Sequence, residues 1–478
     1  MRLRNRQRYD ETWPTVMVKD FATSIVKTLR QHRFEAFLVG GCVRDLLLGR
    51  EPKDYDVATN ATPRQVMTIF PETYAVGAQF GVVLVPASDA GSASECEGEG
   101  GSKSGCVEVA TFRSDIGYTD GRHPDEVRFS SDPREDVARR DFTINGMLLD
   151  PVSGEVLDYV EGRTDLQAGI IRTIGNPQHR FTEDKLRMLR AVRFAARFEY
   201  HIEPSTFAAM QELADHIAVV SRERVRDELT RMLTEGHASR AFLMLDKSGL
   251  LPHVLPEISA MHGVEQPPEF HPEGDVFVHT LLLLDNLPQP CPPTLGWGAL
   301  LHDVGKPATF RIAPDRIRFD GHVDVGVKIA QGICRRLRFS NDDTEQILAL
   351  VENHMRFGDA MKMKESTLKK FMRLRDFNEH MALHRADCLA SHRNLTTYEF
   401  VGHRRAEIPP EKMRPAPLVT GNDLIGVGYV PGPKFKEILG AVEDAQLEGR
   451  LASRDAALEF VRREFPPDAS SRPSRSQC

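Results

Sequence analysis

Between residues 20 and 49 the apolar positions first recur at the three-to-four spacing of a helix (FATSIVKTLRQHR). They then close into a short run, Glu35–Val39, which predicts a strand, followed by a glycine pair and a second helix. Asp54–Thr59 predicts another strand. Thr62–Phe70 predicts a helix entered through Thr62-Pro63, an N-cap followed by a helix-starting proline. Two β-rich apolar runs come next, Val82–Pro86 and Val107–Phe112. Between them lies SDAGSASECEGEGGSKSG, too rich in Gly, Ser and Glu to pack, so 88–106 is expected to be an exposed insertion at a hairpin tip. From about residue 178 the pattern is helical almost throughout, broken by proline-rich stretches at 271–275, 287–294 and 409–417. The last fifteen residues read as a frayed tail. The expected class is α+β: a small mixed-sheet head over 20–150, then all-helical segments over 151–265, 266–400 and 401–478.

A chain of 478 residues suggests about three domains, large enough to fold without a disulfide or metal staple. With 41% hydrophobic and 27% charged residues, collagen, coiled coil and wholesale disorder are excluded. Acidic residues exceed basic ones by 69 to 62, a net charge of -7, so any nucleic acid must be held by a local patch rather than by bulk charge. Seven scattered cysteines without a CxxC pair predict reduced thiols and a cytoplasmic protein. The basic N-terminus, MRLRNRQRYDETWP, leads into no apolar signal region, and no apolar run approaches the roughly 20 residues of a membrane helix. No membrane partner is expected.

Asp54 and Asp56, two apart on a predicted strand, project from one face. Two ionised carboxylates so close repel unless cations lie between them, and an oxygen-rich pair suits Mg²⁺. Glu108, in VEVATF, is a candidate third ligand from a neighbouring strand. Such an arrangement serves two-metal phosphoryl or nucleotidyl transfer. By itself a DxD more often marks a solvated strand end. Upstream, Gly40 and Gly41 stand between a strand and a helix, where glycines let backbone N–H groups approach a triphosphate, and Arg44 adds a forked donor. The plainer alternative is a tight strand–helix turn with a surface Arg44–Asp45 pair.

The order of these features resembles the nucleotidyltransferase superfamily that includes DNA polymerase β, and closely the class II tRNA CCA-adding enzymes and bacterial poly(A) polymerases. LVGGCVRDLLLGREPKDYDVAT (38–59), RRDFTINGM (139–147) and EDKLRMLRAVRFAARF (183–198) carry the resemblance, over roughly residues 35–250. The resemblance implies that Asp54 and Asp56 hold catalytic Mg²⁺ and that Gly41 and Arg44 contact the nucleotide. It further implies that Arg139 touches the phosphates, with Asp141 and Asn145 near the ribose. The expected activity is addition of CCA to the tRNA 3′ end from CTP and ATP.

Glu183-Asp184-x-x-Arg187-x-x-Arg190-x-x-Arg193 predicts an i, i+3 ridge on a helix. An Asp184–Arg187 pair offers acceptors beside donors, matching the pairing edges of C and A. G and U would meet it like against like, at about 1–3 kcal/mol per unsatisfied group. The plain reading is an exposed i, i+3 ion pair of little worth. Arg190, Arg193 and Arg197 form either a solvated face or a phosphate-facing stripe. Glu223 and Glu228 are expected to brace that segment. Poly(A) polymerases of this type typically carry a basic pair where this chain has Ala78-Gln79, and 115–129 resembles the flexible loop of enzymes that switch from C to A. Both favour full CCA addition over poly(A), CC-only or A-only addition.

Further on, His279 lies in an apolar helix, His302 and Asp303 are adjacent before Gly305-Lys306, and His322, His354 and Asp387 follow. A buried Asp beside an imidazole is costly unless a cation binds both. The order H…HD…H…H…D resembles the HD phosphohydrolase domain. That resemblance implies a divalent transition metal on His279, His302, Asp303 and Asp387, with His322 and His354 available to a second ion. An HD hydrolase whose head merely binds RNA is a further alternative, weakened by the intact Asp54–Asp56 pair.

Overall fold

The computed structural model describes residues 15–75, 80–87, 105–117, 125–268, 271 and 274–466. Most of the 88–106 insertion, Ala78-Gln79 and both chain ends lie outside them. The chain divides into two compact units, Met1–Pro256 and Glu257–Cys478.

In the first unit, helix α1 (Thr15–Gln31) turns Ala22, Ile25, Val26 and Leu29 into the core, the apolar stripe read from the sequence. Six strands form one mixed sheet: β1 (Ala36–Val39), β2 (Asp56–Thr59), β3 (Val82–Pro86), β4 (Cys106–Thr111), β7 (Met147–Leu149) and β8 (Val156–Asp158), in the order β3-β4-β2-β1-β7-β8. Only β2 and β4 pair in parallel within it, Asp56 opposite Glu108. Strands β3 and β4 are the two arms of a hairpin, Pro86 opposite Cys106, as expected around the insertion. Helix α2 (Gly41–Leu47) follows β1 directly, and α3 (Pro63–Ile69) starts behind Thr62, whose backbone N–H donates to Gln65 Oε1 at 2.8 Å.

Three expectations need correction. Strand β2 begins at Asp56, so Asp54 lies just before it. The stretch 115–129, expected as a loop, includes the paired strands β5 (Arg113–Ile116) and β6 (Glu126–Phe129), with 118–124 outside the described residues. The ridge from Glu183 is not one helix: α6 (Pro177–Glu183) stops, Asp184 is extended at φ -141 and ψ 104, and α7 (Leu186–Arg197) starts anew. Helices α4 (Pro133–Ala138) and α9 (Arg222–Thr234) complete the frame around the first site.

The second unit is helical. Helices α13 (Val276–Asp285), α14 (Pro293–Leu301), α16 (His322–Arg336), α17 (Asn341–Asn353) and α19 (Phe377–Ala390) bury Leu283, Trp297, Leu300, Ile333, Ile347, Leu350 and Leu383. A short hairpin, β11 (Arg311–Ile312) with β12 (Ile317–Arg318), is the only paired strand element among its described residues. The C-terminal helices close separate small cores, one of them around Val419, Leu424, Ile438, Val442 and Val461. Cys42, Cys291, Cys334 and Cys388 are free thiols as expected, whereas Cys106 is disulfide-bonded, which corrects the expectation of a wholly reduced set. No helix among the described residues is long and apolar enough to cross a membrane.

Candidate functional site

The first site forms where β1 and β2 end together. Val39 is the register partner of Asp56, and the chain leaves β1 through Gly40 at φ +79, a conformation that favours glycine. A Cβ at Gly40 would stand 3.3 Å from Arg140 Nη1 and 4.0 Å from Asp56 Oδ2, so the backbone passes tightly between them. Tyr55 and Val57 are buried, whereas Asp54 and Asp56 are half-buried and alternate with them. Parallel pairing puts Glu108 beside Asp56 on the same face. Asp56 and Glu108 thus stand side by side on adjacent strands, with Asp54 just before the first of them, and carboxylate oxygens of this kind suit Mg²⁺.

Asp54 and Asp56 line a cavity of about 270 Å³ together with Gly41, Cys42, Asp45 and Glu235 and with five cations, Arg44, Lys53, Arg193, Arg197 and Arg231. The lining thus sets five cations against four carboxylates. Of the row on α7, Arg193 and Arg197 line this cavity, both within 3.5 Å of Glu235, while Arg190 turns to Asp141. Arg44 is 4% exposed, donates to Asn145 Oδ1 at 2.7 Å and Asp45 Oδ1 at 2.9 Å, and lies over Phe198. It is a buried arginine rather than half of a surface pair.

Arg139 and Arg140 divide differently from expectation. Both are held by Asp136 of α4, but Arg140 is the one beside Gly40 and Asp56; Arg139 is also 3.8 Å from Asp115. Sequence reasoning missed Arg140 because adjacent arginines in RRDFTIN carry the same chemistry, and only backbone placement separates them. Asp141 accepts from Arg190 Nη2 at 2.7 Å and Asn145 Nδ2 at 3.1 Å. Burial would raise its pKa, but Arg190 and Asn145 hold it down at about 2. Arg193 is bonded to the buried Glu228 at 2.6 Å, the bracing role expected for that glutamate.

Asp184 and Arg187 do not pair with each other. The break before α7 takes Asp184 off the helical ridge, and its Oδ2 accepts from Arg224 Nη2 at 2.7 Å. Arg187 instead donates to Glu183 Oε2 at 2.6 Å, to the Arg180 carbonyl at 3.1 Å and to the Arg139 carbonyl at 3.1 Å. Each is fixed by its own partner, so an acceptor edge and a donor edge are both preset. Arg224, on α9, carried no local signal.

The second site gathers all six residues of the H…HD…H…H…D series from five elements. His279 comes from α13, His302 and Asp303 follow α14, His322 opens α16, His354 follows α17, and Asp387 lies on α19. His279 Nε2 is 3.2 Å from Asp387 Oδ1; Asp303 Oδ2 is 3.0 Å from His302 Nε2, and Oδ1 is 3.7 Å from both His322 and His354 Nε2. Two triads result, His279–His302–Asp387 and Asp303–His322–His354. Asp303 therefore spans both, rather than belonging to the first alone as expected.

The Nδ1 atoms of His302, His322 and His354 lie 2.8, 2.9 and 2.7 Å from the carbonyls of Ala299, Phe319 and Val351. A carbonyl only accepts, so each Nδ1 donates its proton there and each ring turns its Nε2 toward a carboxylate. Burial lowers the pKa of His322 and takes His354 to about 4, which keeps both neutral. Asp303, despite burial, is held well below the usual carboxylate range by His302 and Lys306. Imidazole nitrogens and carboxylate oxygens that converge within 4.8 Å in each triad fit a divalent cation, and imidazole with carboxylate fits a transition metal. The surrounding cavity, about 420 Å³, adds Lys306, Arg316 and His271, which sequence reasoning left out. Lys306 Nζ is 2.7 Å from Asp303 Oδ2 and 2.6 Å from Gln266 Oε1.

Comparison with known proteins adds three family matches: the Poly A polymerase head domain over residues 36–172, the probable RNA and SrmB-binding site of polymerase A over 199–261, and the HD domain over 278–391. The CCA-adding enzyme of Lactococcus lactis subsp. lactis is 32% identical over 445 residues, spanning 91% of this chain and 95% of that protein. That of Oceanobacillus iheyensis is 42% identical over 220 residues, 46% of this chain and 51% of the relative. Among solved structures, the Bacillus stearothermophilus CCA-adding enzyme in complex with CTP aligns with a TM-score of 0.71 at 27% identity, over 94% of this chain and 98% of that one.

Proposed function

This chain belongs to the CCA-adding enzymes, and on that premise we propose that it adds C, C and A to tRNA 3′ ends from CTP and ATP, without a nucleic-acid template and with release of pyrophosphate. The arrangement where β1 ends and β2 begins carries the reading: Asp54 and Asp56 line a cavity with four arginines and a lysine, and Glu108 is the register partner of Asp56 on the next strand. Asp54, Asp56 and Glu108 would hold Mg²⁺. Bound there, Mg²⁺ supplies charge neutralisation for the attacking 3′-hydroxyl and the departing pyrophosphate. Arg44, Arg140, Arg193 and Arg197 receive the triphosphate, and the Gly40-Gly41 turn lets it approach the backbone. Arg139 serves from behind, holding the loop rather than the phosphates. Asp141 and Asn145, locked by Arg190 and Arg44, fix the sugar side of the pocket.

Asp184 and Arg187 read the base. Arg224 orients the Asp184 acceptor edge and Glu183 the Arg187 donor edge, so C and A are satisfied while U and G each leave a group unpaired. The division of labour along the chain is a catalytic head over 20–150, a nucleotide- and RNA-binding segment over 151–265, an HD segment over 266–400 and a tRNA-binding tail beyond 401. We place the protein in the cytoplasm, where nucleoside triphosphates and tRNA meet.

The test incubates purified protein and tRNA lacking its 3′ CCA with Mg²⁺ and labelled CTP and ATP, singly and together. Growth by three nucleotides that stops and needs both triphosphates is the expected result. Unlimited tails with ATP alone would mean poly(A) synthesis, and arrest after CC a partial enzyme.

A second reading concerns the HD pocket alone and rests on the inward-facing Nε2 atoms around Asp303. It is a metal-dependent phosphohydrolase site in which His279, His302, Asp387 and the Asp303–His322–His354 triad would hold the ions. A bound divalent metal lowers the pKa of water enough for attack on a phosphoester near neutral pH. Lys306 and Arg316 supply the positive charge that receives the phosphate. Release of p-nitrophenol from p-nitrophenyl phosphate or bis-p-nitrophenyl phosphate with Mn²⁺, Co²⁺, Ni²⁺ or Zn²⁺, lost in His302→Ala, is the expected result.

A further inference from the structure

We propose that Asp136 is a positioning residue for nucleotide addition, one buried carboxylate that sets the arginine beside the catalytic carboxylates and the arginine that reads the base. The inference rests on the base-reading role given to Arg187 above. Asp136 lies on α4 and is completely buried. Its two oxygens serve two different arginines. Oδ1 accepts from Arg139 Nε at 2.9 Å and Nη2 at 2.6 Å; Oδ2 accepts from Arg140 Nε at 3.2 Å and Nη2 at 2.8 Å. Each guanidinium is therefore gripped along one edge by a charge-assisted pair, which fixes its plane as well as its position.

The two consequences run to opposite ends of the nucleotide pocket. Arg140, so gripped, directs Nη1 to the tight passage between Gly40 and Asp56. Arg139 sits at the C-cap of α4, and its carbonyl accepts from Arg187 Nη2 at 3.1 Å. Holding the Arg139 side chain holds that carbonyl, and the carbonyl helps to aim Arg187. The link is covalent or hydrogen-bonded at every step, so a displacement at Asp136 reaches both arginines. Burial would raise the pKa of Asp136, but the two guanidinium groups hold it below the usual carboxylate value, so the hub stays ionised. The motif RRDFTIN supplies the arginines; the residue that holds both lies three and four positions upstream, on the helix that ends just before them.

The test measures kcat and KM for CTP and ATP, and the misincorporation of UTP and GTP, in Asp136→Asn, Asp136→Glu, Arg139→Gln, Arg140→Gln and Arg187→Ala. Asp136→Asn is expected to lower kcat/KM for CTP and ATP by about 10–100-fold, the scale on which small misplacements of a binding group act. It should also raise UTP and GTP use relative to CTP and ATP by about tenfold. Arg140→Gln should raise KM for all nucleotides with the ratio unchanged, and Arg139→Gln should shift the ratio with little change in KM. Asp136→Glu should recover part of both losses. A purely structural role for Asp136 would lower kcat for every nucleotide alike by reducing the folded fraction; an unchanged ratio in folded Asp136→Asn overturns the proposal. If Asp136→Asn does not fold, Arg139→Gln decides the matter by the same ratio. Should Arg187→Ala itself leave the ratio unchanged, the base-reading assignment fails instead, a result distinct from failure of the hub.

Discussion

Asp303 divides its two oxygens between two histidine triads, and Lys306 caps the same carboxylate. That a single Asp is adjacent to His302 was visible in the chain; that it spans two groups was not, because His322 and His354 reach it from separate helices. The same contrast holds for His380, which no motif singled out. It is 1% exposed, with no hydrogen-bond partner on either ring nitrogen among the described residues, and stacks on Phe377. Burial, with some help from Arg356, takes its pKa down to about 4. Folding therefore favours the neutral ring: its contribution is full above the unfolded value of about 6.5 and is lost as pH falls toward about 4. At pH 5 this one ring should destabilise the second unit by roughly 2 kcal/mol relative to neutral pH. Thermal unfolding followed from pH 7.5 to 5 should show a shallower loss in His380→Leu than in the parent. Equal slopes would mean that the ring is charged in the folded state.

Among the elements, short-range signals held and breaks did not. The Thr62-Pro63 start of α3 and the apolar face of α1 depend on neighbours within four residues, and both are present as expected. The end of α6 at Asp184 was hidden, because Arg224 draws that carboxylate away from across forty residues of chain. Glycines show how closely elements must approach. A Cβ on Gly305 would collide with the backbone of His322 and Gly326, where α16 packs against the turn after Asp303. Gly305→Ala should thus push His322 out of the Asp303–His322–His354 triad. Metal titration with Mn²⁺ should then show at least a tenfold weaker site, with CCA addition at parental rates. Unaltered metal affinity would show that α16 can shift without carrying the ligand.

For the whole molecule, the two compact units each bury their own core and carry their own cluster of charged side chains. The two chemistries should therefore separate cleanly by mutation. Asp54→Ala/Asp56→Ala should abolish nucleotide addition, by at least about 10³-fold, and leave the metal content of the HD cluster unchanged. His302→Ala/Asp303→Ala should do the reverse. Loss of both properties in either variant would show that the units fold or act as one. The acidic net charge did exclude a bulk nucleic-acid coat, yet the cavity holding Asp54 and Asp56 brings five cations beside its four carboxylates. Net charge describes the surface as a sum, whereas binding depends on where the charges are placed.

By itself the sequence determined the mixed-sheet head and helical remainder, the Gly40-Gly41 turn, the Asp54–Asp56 pair and the six residues of the H…HD…H…H…D series. The features of the head follow from residue type and short spacings, whereas the HD series, spread from His279 to Asp387, was read from its resemblance to that domain. Only the tertiary structure decided that Glu108 stands beside Asp56, that Arg140 rather than Arg139 reaches the carboxylates, that Asp184 and Arg187 take separate partners, and that Asp136 holds both arginines. The physical reason is the same in each case. A buried charge must find a partner, and where several of like chemistry lie within reach, packing over tens of residues chooses among them.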